Sequence, residues 1–251
     1  YFSRPATINP VLKKSYDDYA AEVANLAGSG SVLEVGSNDG LFLSLLQDLG
    51  IKCVGIEPAY NMVQFANERN VETIHDFVST ESIAAALDKV GRPSVVLSNH
   101  SFSNVLDIQK WAKLLSNALV DGGHLVLQTF YQKSVLDDYL IENYNHEHLT
   151  YAFVKTLSDF FEQFGLLLCK ARFIEAKGGS IRLLFEKTNL TPSLDFNTKQ
   201  LIENEKPYLH DPHLYFGKTT DYISKTAHGI DDYFRKSASS GNRVCAYGTS
   251  I

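Results

Sequence analysis

SVLEVGSNDGLFLSLL, residues Ser31–Leu46, joins a short apolar run to a polar turn and a second apolar run. Val32–Val35 has the length and unbroken hydrophobicity of a strand buried on both faces. Gly36, Ser37, Asn38, Asp39 and Gly40 make the turn, and Leu41–Leu46 continues as a helix. The next apolar run, Lys52–Ile56, ends in Glu57. Strand, crossover helix and a second strand closed by an acid about 20 residues past the glycines form the layout of a nucleoside-binding βαβ unit. The glycines read E-x-G-x-N-x-G. A pyrophosphate site reads G-x-G-x-x-G instead, because its backbone must approach the phosphates at a helix N-terminus. The loop here leaves room for a ligand carrying an amino acid and a ribose. Asn38-Asp39-Gly40 could also turn a hairpin, but Leu41–Leu49 lacks the alternation of a returning strand.

Outward from this unit the alternation of strands and helices continues. Before it, Val11–Leu26 reads as a helix started at Asn9-Pro10 and ended by Gly28 and Gly30. After it come a helix over Pro58–Arg69, a strand over Glu72–His75, a helix over Glu81–Lys89 and a strand over Ser94–Ser98. A helix over Ile108–Leu119 and a strand over His124–Gln128 follow. This order predicts a mostly parallel, doubly wound α/β sheet with helices on both faces. Leu157–Phe164 reads as a further helix, and Leu166–Ile174 and Ile181–Phe185 as two strands joined through Lys177-Gly178-Gly179. Leu190–Pro207 is polar and reads as loop. Phe216, Thr220, Ile223, Ala227, Ile230 and Phe234 then recur at alternating steps of four and three, predicting a long amphipathic helix over about His213–Lys236. Arg243–Tyr247 reads as a last strand.

Composition narrows the class of function. The 251 residues suffice for one large α/β domain. A net charge of -6 and the absence of any basic run argue against a nucleic-acid partner. Cys53, Cys169 and Cys245 are scattered and form no C-x-x-C pair, which supports neither a disulfide framework nor a metal site. No apolar run has the length of a membrane span and no signal peptide pattern is present, so a cytoplasmic enzyme with a small-molecule substrate is expected. The chain opens on Tyr1 and ends at Ile251, which reads as a piece of something longer.

In parallel sheets ligands bind beyond the carboxyl ends of the strands. Gly36, Glu57, Asp76 and Asn99 each fall at such an end and are expected to converge on one crevice. The turn is of the methyltransferase form, and it points to S-adenosylmethionine as cofactor. Glu57, followed by Pro58, would accept hydrogen bonds from the ribose hydroxyls. Asp76 and Phe77 would sit by the adenine, and Glu34, Gly36, Ser37, Asn38 and Gly40 would surround the amino-acid end with Asn99. A second cluster, Tyr144-Asn145-His146-Glu147-His148, holds two histidines about one carboxylate. It could ligate a metal, but no third soft ligand lies near. Histidine is also the commonest general base near neutral pH.

VLEVGSNDGLFL, VVLSNHSFSNV, NHEHLTY and GGSIR occur in that order across Ser31–Glu186. Together they resemble the sugar C-methyltransferases, which methylate nucleotide-linked ketohexoses with S-adenosylmethionine. The resemblance implies a class I, Rossmann-like methyltransferase fold, with His148 as base, Glu147 in the pocket and His100 as the next candidate. It also implies a C-terminal Rossmann-like unit whose first strand would be the start of RVCAYGTSI. The expected division is therefore 1–30, an N-terminal segment and helix; 31–188, the cofactor-binding domain; and 189–251, a linker, the long helix and that first strand. Two positions depart from the family. Asn145 stands where a tyrosine is usual, and Tyr144 beside it is expected to stand in as the catalytic tyrosine, while Asn104 replaces a histidine. Methyl transfer to a hydroxyl, or a methyltransferase-like module that binds without turnover, are the alternatives.

Overall fold

Four consecutive buried residues, Val32–Val35, form β1, an interior strand of a seven-stranded sheet. The computed structural model describes residues 10–144 and 146–245. In chain order the elements are α1 (Pro10–Ala27), β1, α2 (Leu41–Asp48), β2 (Cys53–Ile56), α3 (Tyr60–Glu68), β3 (Thr73–Ile74) and α4 (Thr80–Val90). There follow β4 (Val95–Asn99), α5 (Ile108–Ala118), β5 (His124–Phe130), α6 (Gln132–Asp137), α7 (Val154–Glu162), β6 (Leu166–Ile174), β7 (Ser180–Lys187), α8 (Phe196–His210) and α9 (Pro212–Ser239). The sheet order is β3-β2-β1-β4-β5-β7-β6. The first five strands are parallel, and β7 runs antiparallel between β5 and β6. This is the class I methyltransferase sheet.

Both faces of the sheet are covered, so its parallel strands are apolar throughout rather than alternating. Leu33, Val35, Val54, Ile56, Val96 and Leu125 pack with residues of α4, α5 and α7 on one face. Val32, Cys53, Val95, Leu97 and Val126 pack with α1 and α2 on the other. Local signals fix the helix starts. Ser79 and Ser82 exchange side-chain to backbone hydrogen bonds at the head of α4 (3.0 and 2.9 Å), and Asp107 caps α5 through the Lys110 amide (2.9 Å).

The expected loop over Leu190–Pro207 is a correction: α8 occupies most of it. Its inward residues, Thr198, Glu205 and Tyr208, are buried but polar, so no apolar period marks the helix. Glu205 is used by α7, whose Val154 and Lys155 amides donate to its two carboxylate oxygens (2.7 and 2.9 Å). Thr198 Oγ1 accepts the Ala171 amide of the edge strand β6 (2.8 Å), beside the register shift between Leu168 and Lys170. The helix thereby covers a strand edge that would otherwise be open to pairing.

The expected long helix is α9. Tyr215 stacks on Tyr208 (centroids 4.0 Å apart) and Tyr222 on Tyr139 (4.2 Å), while Ile223, Ile230 and Phe234 remain exposed. Arg243, Val244 and Cys245 take part in no strand; the rest of the strand expected there, the N-terminal segment before Pro10, and Asn145 lie outside the described residues. No helix among the described residues is long and apolar enough to cross a membrane.

Candidate active site

The carboxyl ends of β1, β2 and β4 open on a cavity of about 590 Å³. Its first wall is set by backbone geometry. After β1 the chain turns at Gly36, whose φ of 74° an L side chain rarely adopts, and the Gly36 amide donates to Ile56 O (2.8 Å). A Cβ there would lie 2.4 Å from Ser101 Cβ, so the turn and the loop after β4 approach as closely as atoms allow. Asp39 is buried and pairs with Arg69 at the end of α3 (3.1 Å), pinning the turn from below. Glu57 is buried at the end of β2 and accepts the Asn38 amide at Oε2 (2.9 Å) and the Ala59 amide at Oε1 (2.8 Å). Burial pushes its pKa up while those two donors pull it down.

Behind this wall a polar chain runs across the α1 side of the sheet. Asn99 donates to Glu34 Oε1 (2.8 Å) and accepts from the Tyr19 hydroxyl of α1 (3.0 Å). Burial raises the Glu34 carboxyl to about 7, against the stabilising Asn99 bond. The Arg182 guanidinium lies 3.3 Å from the Tyr19 ring centroid and donates to Gln128 Oε1 (2.9 Å). That bond fixes the Gln128 amide, so its Nε2 donates to His100 Nε2 (2.9 Å). Burial holds His100 far below ordinary histidine, at about 3. His100 is therefore neutral near pH 7, with its Nε2 accepting from the Gln128 amide.

The second wall comes from β5, the loop after α6 and the β6–β7 turn. Phe130 ends β5, with the His148 ring 4.5 Å and the His100 ring 5.4 Å from its own. His148 Nδ1 lies 2.8 Å from Asn143 O, a carbonyl that also accepts the Tyr151 hydroxyl (2.6 Å). A carbonyl can only accept, so it holds the proton on Nδ1 and leaves the lone pair on Nε2. Lys177 enters from the turn, its ammonium 5.8 Å from the Phe130 centroid.

Of the residues expected from sequence, Gly36, Asn38, Glu57, Pro58, Asp76, Phe77, Asn99, His100, Glu147 and His148 line the cavity. Glu34, Ser37, Gly40 and Tyr144 do not. Glu34 and Ser37 are buried behind the first wall, and Gly40 heads α2. The Tyr144 hydroxyl accepts from Gln132 Nε2 (2.9 Å), and its ring packs on Tyr151 (4.8 Å). The lining also includes Ser101, Asn104, Lys110, Trp111 and Lys177, which sequence reasoning did not assign to the site. Of these, Asn104 was marked only as a departure from the family, and Lys177 only as part of a turn between two strands. Among the described residues no group of three or more His, Cys, Asp or Glu could hold a metal ion.

Residues 11–170 match a family model described as a methyltransferase domain. A C-methyltransferase, NovU, from Streptomyces niveus is 29% identical over 164 residues, which cover 65% of this chain and 39% of that protein. The chain thus spans about two fifths of that relative's length. Among solved structures, a SAM-dependent methyltransferase from Archaeoglobus fulgidus superposes with a TM-score of 0.57 at 14% identity, covering 70% of this chain and 94% of that one. The magnesium protoporphyrin IX methyltransferase of Synechocystis PCC 6803, solved with bound SAH, gives a TM-score of 0.54 at 12% identity, over 74% of this chain and 90% of that one. With the sheet order, the strand-end cavity and a family match over most of its length, the chain belongs to the methyltransferase-domain family, and S-adenosylmethionine is its cofactor.

Proposed function

We propose that this chain methylates carbon next to the carbonyl of a nucleotide-linked ketosugar. The observation that carries the reading is His148, which lines the same cavity as Gly36 and Glu57 from the opposite wall. The carbonyl at its Nδ1 directs the basic Nε2 to the reaction. The ordered motifs of the sugar C-methyltransferases and the similarity to a C-methyltransferase support the same acceptor.

The cofactor fits the first wall by donor chemistry. Each Glu57 oxygen spends one lone pair on a backbone amide and keeps another for a ribose hydroxyl. Pro58, Asp76 and Phe77 border the place of the base, and Gly36 and Asn38 that of the amino-acid end. When bound, S-adenosylmethionine supplies an electrophilic methyl group. The chain's own residues prepare the acceptor. His148 Nε2 takes the proton from the carbon beside the ketone, and the C–H electron pair moves into the enolate. Glu147, on the same loop, adds a negative charge that favours the resulting imidazolium.

The test is proton exchange. In heavy water, with the demethylated cofactor bound, the protein should exchange the proton beside the carbonyl of a nucleoside-diphosphate ketohexose, and His148→Ala should not. Asn104 and the neighbour of Tyr144, Asn145, replace residues usual in the family, which favours a hydroxyl acceptor as the second reading. A hydroxyl needs no enolate, so methyl transfer without exchange would establish that reading instead.

A further inference from the structure

We propose that Lys177 is a catalytic residue, the ammonium that receives the charge developing on the substrate's carbonyl oxygen while His148 removes the neighbouring proton. The inference rests on the carbon-methylation reading. Removing a proton beside a ketone is feasible only when the electron pair that arrives on oxygen meets a positive charge or strong donors. The first wall offers mainly acceptors and backbone. The second wall has the base His148, the Glu147 carboxylate, the neutral His100 and one cation, Lys177, while the other lysine of the lining, Lys110, stands on α5.

Three observations place that cation. Lys177, His148 and His100 gather around one ring, Phe130, at 5.8, 4.5 and 5.4 Å. The ammonium and the basic nitrogen therefore serve the same small volume, as the two ends of an O=C–C–H fragment require. Among the described residues Lys177 forms no ion pair, so its charge is not spent on a carboxylate. Its backbone is also held in place. Lys177 has a φ of 53° and is followed by Gly178 and Gly179, both with positive φ. Cβ atoms at those glycines would lie 2.8 Å from Leu140 Cδ1 and 2.6 Å from Ser134 Cβ, so the turn sits hard against α6 and the loop that follows it. A lysine accepts left-handed backbone at a cost that a solvated surface side chain would not need to meet. The residue is exposed by surface area, yet the atoms crowding its ammonium lower its pKa below that of ordinary lysine.

The step balances. The C–H bond breaks and its proton goes to His148 Nε2. The electron pair forms the C=C bond, the carbonyl π pair moves to oxygen, and the Lys177 ammonium donates a hydrogen bond to that oxygen without giving up its proton. The carbon is then the nucleophile toward the methyl group.

The experiment compares the parent protein with Lys177→Met, Lys177→Asn and Lys177→Arg. Each is loaded with S-adenosylhomocysteine and saturated with a nucleoside-diphosphate ketohexose in heavy water. Asparagine tolerates left-handed backbone best and keeps a neutral variant available should methionine unfold the turn. The exchange rate at saturation should fall about 10²- to 10³-fold in both neutral variants, the scale for losing one donor to an oxyanion, and by less than about tenfold in Lys177→Arg. S-adenosylhomocysteine affinity should not change. The parent rate should fall at high pH as the ammonium deprotonates, and Lys177→Arg should lack that limb. Exchange at saturation within about threefold of the parent in the neutral variants overturns the proposal, as does an effect on KM alone. No exchange by the parent, with methyl transfer to a hydroxyl, overturns the carbon reading and this proposal with it.

Discussion

The two walls of the cavity are built from different materials. On the first, Gly36, Glu57 and Asn99 are carried by the ends of β1, β2 and β4, whose registers are fixed over several residue pairs. The Glu57 carboxylate is tied to two backbone amides and the Asn99 amide to Glu34, all at 2.8 to 2.9 Å. On the second, His148 is held by the Asn143 carbonyl and packs against the rings of Phe130 and Tyr151, and Lys177 sits on a two-glycine turn. The first wall can bind a ligand common to many enzymes because sheet geometry repeats among them. The second can diverge with its acceptor, because loops change without disturbing the sheet.

Four experiments test that contrast. The largest effect belongs to His148→Ala, which should lower methyl transfer about 10³-fold, within the range for a general base, and leave S-adenosylmethionine affinity unchanged. Calorimetry showing weakened cofactor binding would mean that the walls are not separable. Next is Glu34. Burial raises its folded pKa from 4.5 to about 7, so the folded state binds the proton more tightly than the unfolded chain. Its contribution is fully present below the unfolded value and is lost as pH rises through 7, a change of about 3 kcal/mol. Denaturant titrations of ligand-free protein at about pH 5 and about pH 8 should show Glu34→Gln losing that slope. Equal slopes in variant and parent would remove Glu34 as its source.

Glu57→Ala should weaken S-adenosylhomocysteine binding by about 2 kcal/mol, the scale of a lost charged hydrogen-bond partner. Unchanged binding would take Glu57 out of the cofactor site. The smallest effect is expected from Tyr144→Phe. It loses the bond to Gln132, costing about 1 kcal/mol of stability, with methyl transfer held within about twofold of the parent. A much larger loss of activity at unchanged stability would restore Tyr144 to the chemistry.

The first wall was legible in the sequence because its logic is local. A buried strand, a glycine turn and an acid ending the next strand are all written within Ser31–Glu57. The second wall was legible only as residue types. The motif around His148 marked a candidate base, but nothing near it marked Asn143 O as the acceptor at Nδ1. Lys177 lay in a turn read purely as a connection. The chain from Arg182 through Gln128 to His100 joins residues 54 and 28 positions apart, a spacing that no local pattern announces. α8 escaped because its buried face is Thr198, Glu205 and Tyr208, residues that a hydrophobic period cannot register.

The Glu205 carboxylate caps α7 from 51 and 50 residues further along the chain. During synthesis the α7 segment emerges well before the group that completes its first turn. Its two leading amides must face water, or a temporary partner, until α8 has been made. The outer part of the sheet waits in the same way, since β5 and β6 pair with each other only through β7. A chain ending at Lys187 would contain all seven strands of this sheet and still lack the cap, so assembly from the amino terminus reaches its last checkpoint at α8.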